Sequence, residues 1–204
     1  LPMRTLAAIR SILIPTDFSD EARVAFAHAL RLSVALKAEL EVLLVEPEND
    51  QPAWKWGPHV REPLVRWGYL NDGATDDDVA ALGIRVRKIV AVGREADRAI
   101  MDEIVASHAD LVVMATHGRT GIRQWLQPSV TAPVALKGSV PVLLIPHNHR
   151  GFVNLDSGEA TLNRILIAVD QRPHPAPAFD AANILATALP QEKLFLATLH
   201  VGSE

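Results

Sequence analysis

Ile12-Leu13-Ile14-Pro15-Thr16-Asp17-Phe18-Ser19 is the stretch from which the fold can be read. Three consecutive branched apolar residues suit a strand buried on both faces, because a strand with one wet face alternates instead. The run stops at Pro15, and the residues after it carry turn and helix-start chemistry. Ser19 is a candidate N-cap, and Asp20 and Glu21 fall where first-turn N–H groups favour negative charge. Beyond them Ala22, Ala25, Phe26, Ala29, Leu30 and Ser33 recur at the helical period, the stripe of a helix lying on a sheet. A buried strand leading through a short turn into such a helix opens a β-α-β unit. It sets a parallel sheet as the expectation for the strands downstream.

The rest of the chain largely keeps that pattern. Strands are expected at 40–45, 84–92, 110–114 and 142–145, and helices at 95–107 and 130–137. The helix at 95–107 presents Ala96, Ala99, Ile100 and Ile104 on one face. Pro141 and Pro146 bracket the fifth strand, which suits an edge position or strand ends. Pro133 is expected to confine the helix at 130–137 to its first turn or to kink it. Five strands with intervening crossovers make a doubly wound, five-stranded parallel sheet the natural α/β architecture.

One long excursion interrupts the alternation. Residues 46–75 are rich in Pro, Gly, Asn and Asp and carry Trp54, Trp56, Trp67 and Tyr69, with one irregular helix expected at 62–69. The tryptophans either fold the excursion onto the domain or form a partner surface. Asp76-Asp77-Asp78 reads as the first turn of a further helix or as a solvated acidic run.

Residues 147–162 are polar, charged and Gly-containing, as in a linker. After them the chain repeats itself. Ile165-Leu166-Ile167-Ala168-Val169-Asp170 echoes Ile12 to Asp17, a helix is expected at 177–188 and a strand at 194–201. The domain reading is therefore one α/β domain over 1–146, a linker over 147–162, and a partial second β-α-β repeat over 163–204. Three elements bury little surface, so that repeat is expected to lean on the first domain, on another chain or on further residues.

Composition narrows the function classes. With no cysteine among 204 residues, disulfides, thiolate zinc sites and cysteine nucleophiles are excluded. A formal net charge of −4 offers no general attraction to nucleic acid or anionic membrane. No apolar run approaches the roughly 20 residues that span a bilayer. Residues 1–10 lack a signal-like apolar core, so a soluble cytoplasmic protein is expected. There is no Gly-x-Ser-x-Gly and no Gly-Lys-Ser loop, and hence no catalytic residue to assign. His147 and His149 alternate without a placed third ligand, so no metal site is assigned either.

Met114-Ala115-Thr116-His117-Gly118-Arg119-Thr120-Gly121-Ile122, running on to Pro128-Ser129-Val130-Thr131, is the candidate binding loop. It leaves the carboxyl end of a buried strand and leads into a helix, which is where open α/β sheets bind ligands. Glycines let backbone N–H groups approach phosphate oxygens, Ser129 and Thr131 offer hydroxyls, and Arg119 and Arg123 could neutralise charge. A tight turn without ligand has the same composition. His117 could touch a phosphate or simply shape the loop.

The Ile-Leu-Ile-Pro-Thr-Asp-Phe-Ser run, Ala-Asp-Leu-Val-Val-Met-Ala-Thr-His-Gly-Arg-Thr-Gly at 109–121, and Ser-Val-Pro-Val-Leu-Leu-Ile-Pro at 139–146 occur in that order. Together they resemble the universal stress protein family across residues 9–146, the excursion aside, with the start of a second copy from about 163. The resemblance implies a Rossmann-like, adenine nucleotide alpha-hydrolase-like fold and a stress-response regulatory or binding role. It also implies an ATP or related adenine nucleotide site, with Mg²⁺, made of Pro15, Asp17, Val42, Met114, Ala115, Gly118, Ser129 and Val130. The family's nucleotide-binding branch carries Gly, two residues, Gly, nine residues, then Gly-Ser or Gly-Thr. Here Ala115 and Pro128 replace two of those glycines, and Pro128 has no N–H to offer a phosphate.

On residue chemistry alone Asp17 could equally be a turn carboxylate, and Val42 and Met114 plain core. Two functional expectations result. One is a nucleotide-responsive binding protein with at most slow, incidental ATP hydrolysis. The other is a nucleotide-free interaction or scaffold module. Either would act as a homodimer or pseudo-dimer through the fifth strand and the second repeat.

Overall fold

The computed structural model describes residues 8–46, 59–92, 95–116, 130–137, 140–146, 149–170, 174–189 and 191–200. β1 (Ser11–Thr16) is buried at every position but Pro15, because it has a strand on each side and an apolar layer on each face. β2 (Glu39–Glu46) lies parallel to it from Ser11 opposite Glu39 to Thr16 opposite Leu44. β3 (Val86–Val92) continues the sheet beyond β2, while β4 (Leu111–Thr116) and β5 (Val142–Pro146) extend it on the other side of β1. The order is β3-β2-β1-β4-β5, all parallel, which is the doubly wound sheet expected from the alternation. β5 is an edge strand, consistent with its flanking prolines.

Successive side chains of β1 point to opposite layers. Ile12 and Ile14 join the core under α1 (Asp20–Leu36), where Ala25, Phe26, Ala29 and Leu30 are buried. Leu13 joins the opposite core under α4 (Ala96–Ala106) and α5 (Thr131–Lys137), with Ile100, Ile104 and Val134. Both helical stripes read from the sequence therefore face the sheet. Asp110 ties the amino ends of the central strands together, its Oδ2 accepting from the N–H groups of Arg10 at 2.8 Å and Ser11 at 3.3 Å.

Within the excursion the described part is ordered as α2 (Arg61–Arg66) and α3 (Asp76–Ala81). The acidic run is the first turn of α3. Asp78 accepts from the Thr75 N–H at 2.7 Å and hydroxyl at 2.8 Å, bonds that hold its carboxyl below the usual carboxylate range. Trp67 packs against the α1-side core, so it folds its part of the excursion down; Trp54 and Trp56 lie outside the described residues. Pro133 does not stop α5, which runs on to Lys137. As the third residue of the helix it lacks an N–H that would have had no intrahelical acceptor anyway.

Beyond β5, residues 149–163 do not hang free as their polar composition suggests. Val153 and Ala160 form an antiparallel bridge with both side chains buried, and Trp67 donates from Nε1 to the Leu155 carbonyl at 3.0 Å. The repeat comes next as β6 (Arg164–Val169), α6 (Ala176–Ala188) and β7 (Phe195–His200), with β6 and β7 parallel and in register from Arg164 opposite Phe195. Ile184, Leu185, Ala188 and Leu189 bring α6 onto the α1-side core.

A charged residue breaks the apolar run of β2. Glu41 is 2% exposed, and its Oε1 meets Arg87 Nη2 at 3.0 Å, while Glu103 meets the same nitrogen at 3.2 Å. The Glu41 bond, aided by the charges of Glu41, Glu103 and Glu39, raises the Arg87 pKa against its partial burial. Removing one partner of a buried pair costs far more than removing both. Arg87→Met is therefore expected to lower the unfolding free energy by about 3 kcal/mol in urea titration, the low end of the range because the Arg87 side chain is 46% exposed. Adding Glu41→Leu should recover most of the loss. Equal losses in the single and double variants would show that the stranded carboxylate is not the cause.

Candidate functional site

The chain moves outward from β1 through β2 to β3, then returns across β1 to β4 and β5. At that reversal α1, which follows β1, packs on one face of the sheet, while α5, which follows β4, packs on the opposite face. In sheets of this kind the carboxyl ends of the strands at such a reversal, here β1 and β4, are the usual ligand position.

One wall is the turn 16–19. Thr16 Oγ1 accepts from the Phe18 N–H at 3.1 Å, and Asp17 Oδ1 accepts from the Ser19 N–H at 3.0 Å. Ser19 Oγ then accepts from the Ala22 N–H at 3.2 Å and caps α1, as its sequence position implies. Three short side chains thus satisfy the backbone in succession. Phe18 sits at φ +61°, a left-handed conformation that costs a bulky residue about 1 kcal/mol. Pro15 is half-buried and Asp17 exposed at the mouth.

The other wall is the end of β4. Met114 is buried in the α4-side core and Ala115 is half-buried. The Thr131 hydroxyl donates to the Ala115 carbonyl at 3.5 Å, which holds the start of α5 against the end of β4, with Val130 exposed beside it. Gly118 and Ser129 lie outside the described residues, as do His117, Arg119, Arg123 and Pro128.

Pro15 and Asp17 thus stand at the carboxyl end of β1, and Ala115 and Val130 at that of the adjacent β4. Val42 stands apart: it pairs with Ile14, lies four residues before β2 ends, and has no exposed surface. Its burial, like that of Met114, is that of a core residue. Two residues escape a reading of the sequence. Thr16 shapes the turn, and a hydroxyl two residues ahead of the N–H it serves is the signal that points to it. Glu46 ends β2 buried at the carboxyl edge of the sheet, hidden in sequence because the irregular excursion begins there.

Away from this crevice, a groove of about 650 Å³ lies between α1, the 149–163 segment and the start of β7, with Arg31, Tyr69, Glu159 and Lys193 on its walls. Among the described residues no three His, Asp or Glu side chains gather as metal ligands, and no helix is long and apolar enough to cross a membrane.

The family model described as the universal stress protein family matches residues 8–146. A universal stress protein of Methanocaldococcus jannaschii is 28% identical over 160 residues, covering 67% of this chain and 94% of that protein. One from Thermus aquaticus is 28% identical over 142 residues, with coverages of 67% and 98%. Among solved structures, a universal stress protein in complex with cAMP superposes with a TM-score of 0.52 at 23% identity, over 69% of this chain and 98% of that one. A universal stress protein from Archaeoglobus fulgidus reaches 0.60 at 21% identity, over 95% of this chain and 66% of that one. The likeness in fold thus runs past β5 into the second sheet.

The turn makes a prediction that separates its structural work from any ligand contact. Ser19→Ala removes the cap and is expected to lower stability by about 1 kcal/mol in thermal unfolding. Asp17→Asn keeps an acceptor oxygen for the Ser19 N–H and should cost no more than about 0.5 kcal/mol. A larger loss in Asp17→Asn than in Ser19→Ala would refute this division of roles.

Proposed function

This chain belongs to the universal stress protein family and is a stress-response protein, and we propose that it binds an adenine nucleotide, ATP with Mg²⁺ in the fullest case, in the crevice between β1 and β4. The observation that carries the reading is the reversal of strand order at β1, the usual place for a ligand crevice, with Asp17 on one side and Ala115 and Val130 on the other. The groups there suit such a ligand. An exposed carboxylate can take ribose hydroxyls or a bound cation, Pro15 offers a flat apolar ring, and Ala115 and Val130 border the 117–129 segment. Gly118, Ser129 and the N–H of Val130 are proposed to meet phosphate oxygens, with Val42 and Met114 supporting the site from the core. The complex of a family structure with cAMP supports the choice of an adenine nucleotide.

Binding, not turnover, is the assigned activity, and hydrolysis would be slow and incidental. Occupancy would bias association through the β5 edge, where Val142, Leu143 and Leu144 are only half-buried, together with the second repeat, in a cytoplasmic homodimer or pseudo-dimer. Pro128 favours the second reading, a nucleotide-free scaffold acting through the same association, because it withholds a donor from the anion site.

Calorimetry with ATP and Mg²⁺ decides between them. The first reading predicts saturable binding and a rise in melting temperature, about 2.7 kcal/mol of stabilisation at a hundred times Kd. No heat and no shift at millimolar nucleotide would leave the scaffold reading standing alone. Restoring one neutral donor is worth about 1 kcal/mol, so Pro128→Gly should tighten binding about fivefold. Unchanged affinity would mean that another feature limits the site.

A further inference from the structure

We propose that residues 149–163 are an acid-released strap, clasped to α1 by the neutral form of His28 and let go when that imidazole takes a second proton. His28 is 0% exposed and both ring nitrogens are engaged. Nδ1 lies 2.7 Å from the Val24 carbonyl oxygen, which can only accept, so Nδ1 carries the proton. Nε2 lies 2.9 Å from the Phe152 N and 3.1 Å from the Val153 N, which can only donate, so Nε2 carries none. A proton on Nε2 would point at those two N–H groups and turn both bonds into repulsions.

The site leaves no room to adjust. A Cβ on Gly151, which sits at φ +64°, would collide with the His28 ring, and Phe152 meets that ring edge-on with centroids 4.6 Å apart. Two further bonds hold the strap without a histidine: Trp67 Nε1 donates to the Leu155 carbonyl and Arg31 Nε to the Gly158 carbonyl, each at 3.0 Å. Gly158 in turn has no space for a Cβ beside Trp67.

Charges around His28 do not hold it in the cationic form. β1, β4 and β5 present no titratable side chain to α1, and Glu39 and Glu41 of β2 engage Arg87. Glu46 on β2, Asp20, Glu21, Arg23 and Arg31 on α1, His149, Arg150, Asp156 and Glu159 on the strap, and Asp180 on α6 complete the titratable groups of these elements. Among the described residues none of them forms an ion pair with His28. Burial lowers its pKa below the ordinary 6.5, outweighing the Val24 bond, which raises it.

With the strap open, His28 is hydrated and titrates near 6.5; with it closed, it titrates lower. Closing therefore expels a proton, and the strap's stability is fully present above 6.5 and lost as pH falls from there toward the closed-state value. Within that window the opening equilibrium rises about tenfold per pH unit. The strap also supplies Ser157 to Ala160 to the wall of the 650 Å³ groove, so release would dismantle that groove.

The experiment is a pH titration of the full chain by NMR. It reads the His28 ring nitrogens together with hydrogen exchange at Phe152 and Val153, using Val112 and Val113 of β4 as reference amides. We expect an Nδ1–H tautomer at neutral pH. Below 6.5, protection at the two strap amides should fall about tenfold per pH unit relative to β4. His28→Gln keeps an acceptor that does not titrate and should give strap protection that is flat across the same window. Gly151→Ala should open the strap at every pH and abolish the acid dependence, a check that survives if His28→Gln fails to fold. Strap protection that stays flat while wild-type His28 titrates would overturn the proposal, as would an equal acid loss in His28→Gln.

Discussion

β1 has hydrogen-bonded neighbours on both sides and apolar layers on both faces, and the remaining geometry depends on that position. A strand so placed can carry no polar side chain except at its ends, so chemistry is pushed to its carboxyl terminus. There the chain must leave the sheet with several backbone groups unpaired. Thr16, Asp17 and Ser19 supply the missing acceptors in succession, and Phe18 is forced into a left-handed conformation between them. Because the helices that follow β1 and β4 pack on opposite faces, this end of the sheet is the usual place for a ligand crevice.

Elements dictated by periodicity and by local chemistry are legible in the sequence. The apolar runs of β1, β2, β4 and β5, the stripe from Ala22 to Ser33 and the Ser19 cap are local signals, and each stands in the structure where its pattern places it. β3 begins at Val86, two residues later than its apolar pattern suggests. Ile84 is buried, but it precedes the pairing that starts opposite Leu40. The strap reads as a linker for a different reason. Its composition is polar because its backbone is satisfied by its own Asn154 turn and by His28, Arg31 and Trp67, residues more than 80 positions away. No window along the chain contains both halves of that arrangement. The role of Glu41 is invisible on the same grounds: a carboxylate in a buried strand is acceptable only because Arg87 on the neighbouring strand reaches it.

α1 connects the two functional regions. Its first turn closes the wall of the crevice, and its middle turns hold the strap through His28 and Arg31. Between them the helix is pinned to the sheet by Ala25, Phe26, Ala29 and Leu30, all buried, so it moves as one body or not at all. α6 rests on the same helix. An event at either end can therefore reach the second repeat through α1 or through the strap that leads into it.

The two repeats show how far an apolar signature depends on its surroundings. Ile165-Leu166-Ile167 matches Ile12-Leu13-Ile14 residue for residue, and both begin a parallel β-α-β unit. Yet β1 is buried at every position but Pro15, whereas β6 is buried only at Ile167 and β7 is exposed at every position, with Leu166 of β6 and Phe195 of β7 each 64% exposed. The difference lies in what covers the sheet. Among the described residues none packs as α4 and α5 do on the face of β6 and β7 that carries Leu166, so each large side chain left exposed there forgoes the roughly 1.5–3 kcal/mol that full burial brings. Among the described residues, what holds the second sheet is one-sided: Ile167 is buried, α6 packs on β6, and Leu189 joins the first core. Loosening the strap would act on the part of the molecule with the least burial in reserve, while the five-stranded sheet, closed on both faces, would stay intact.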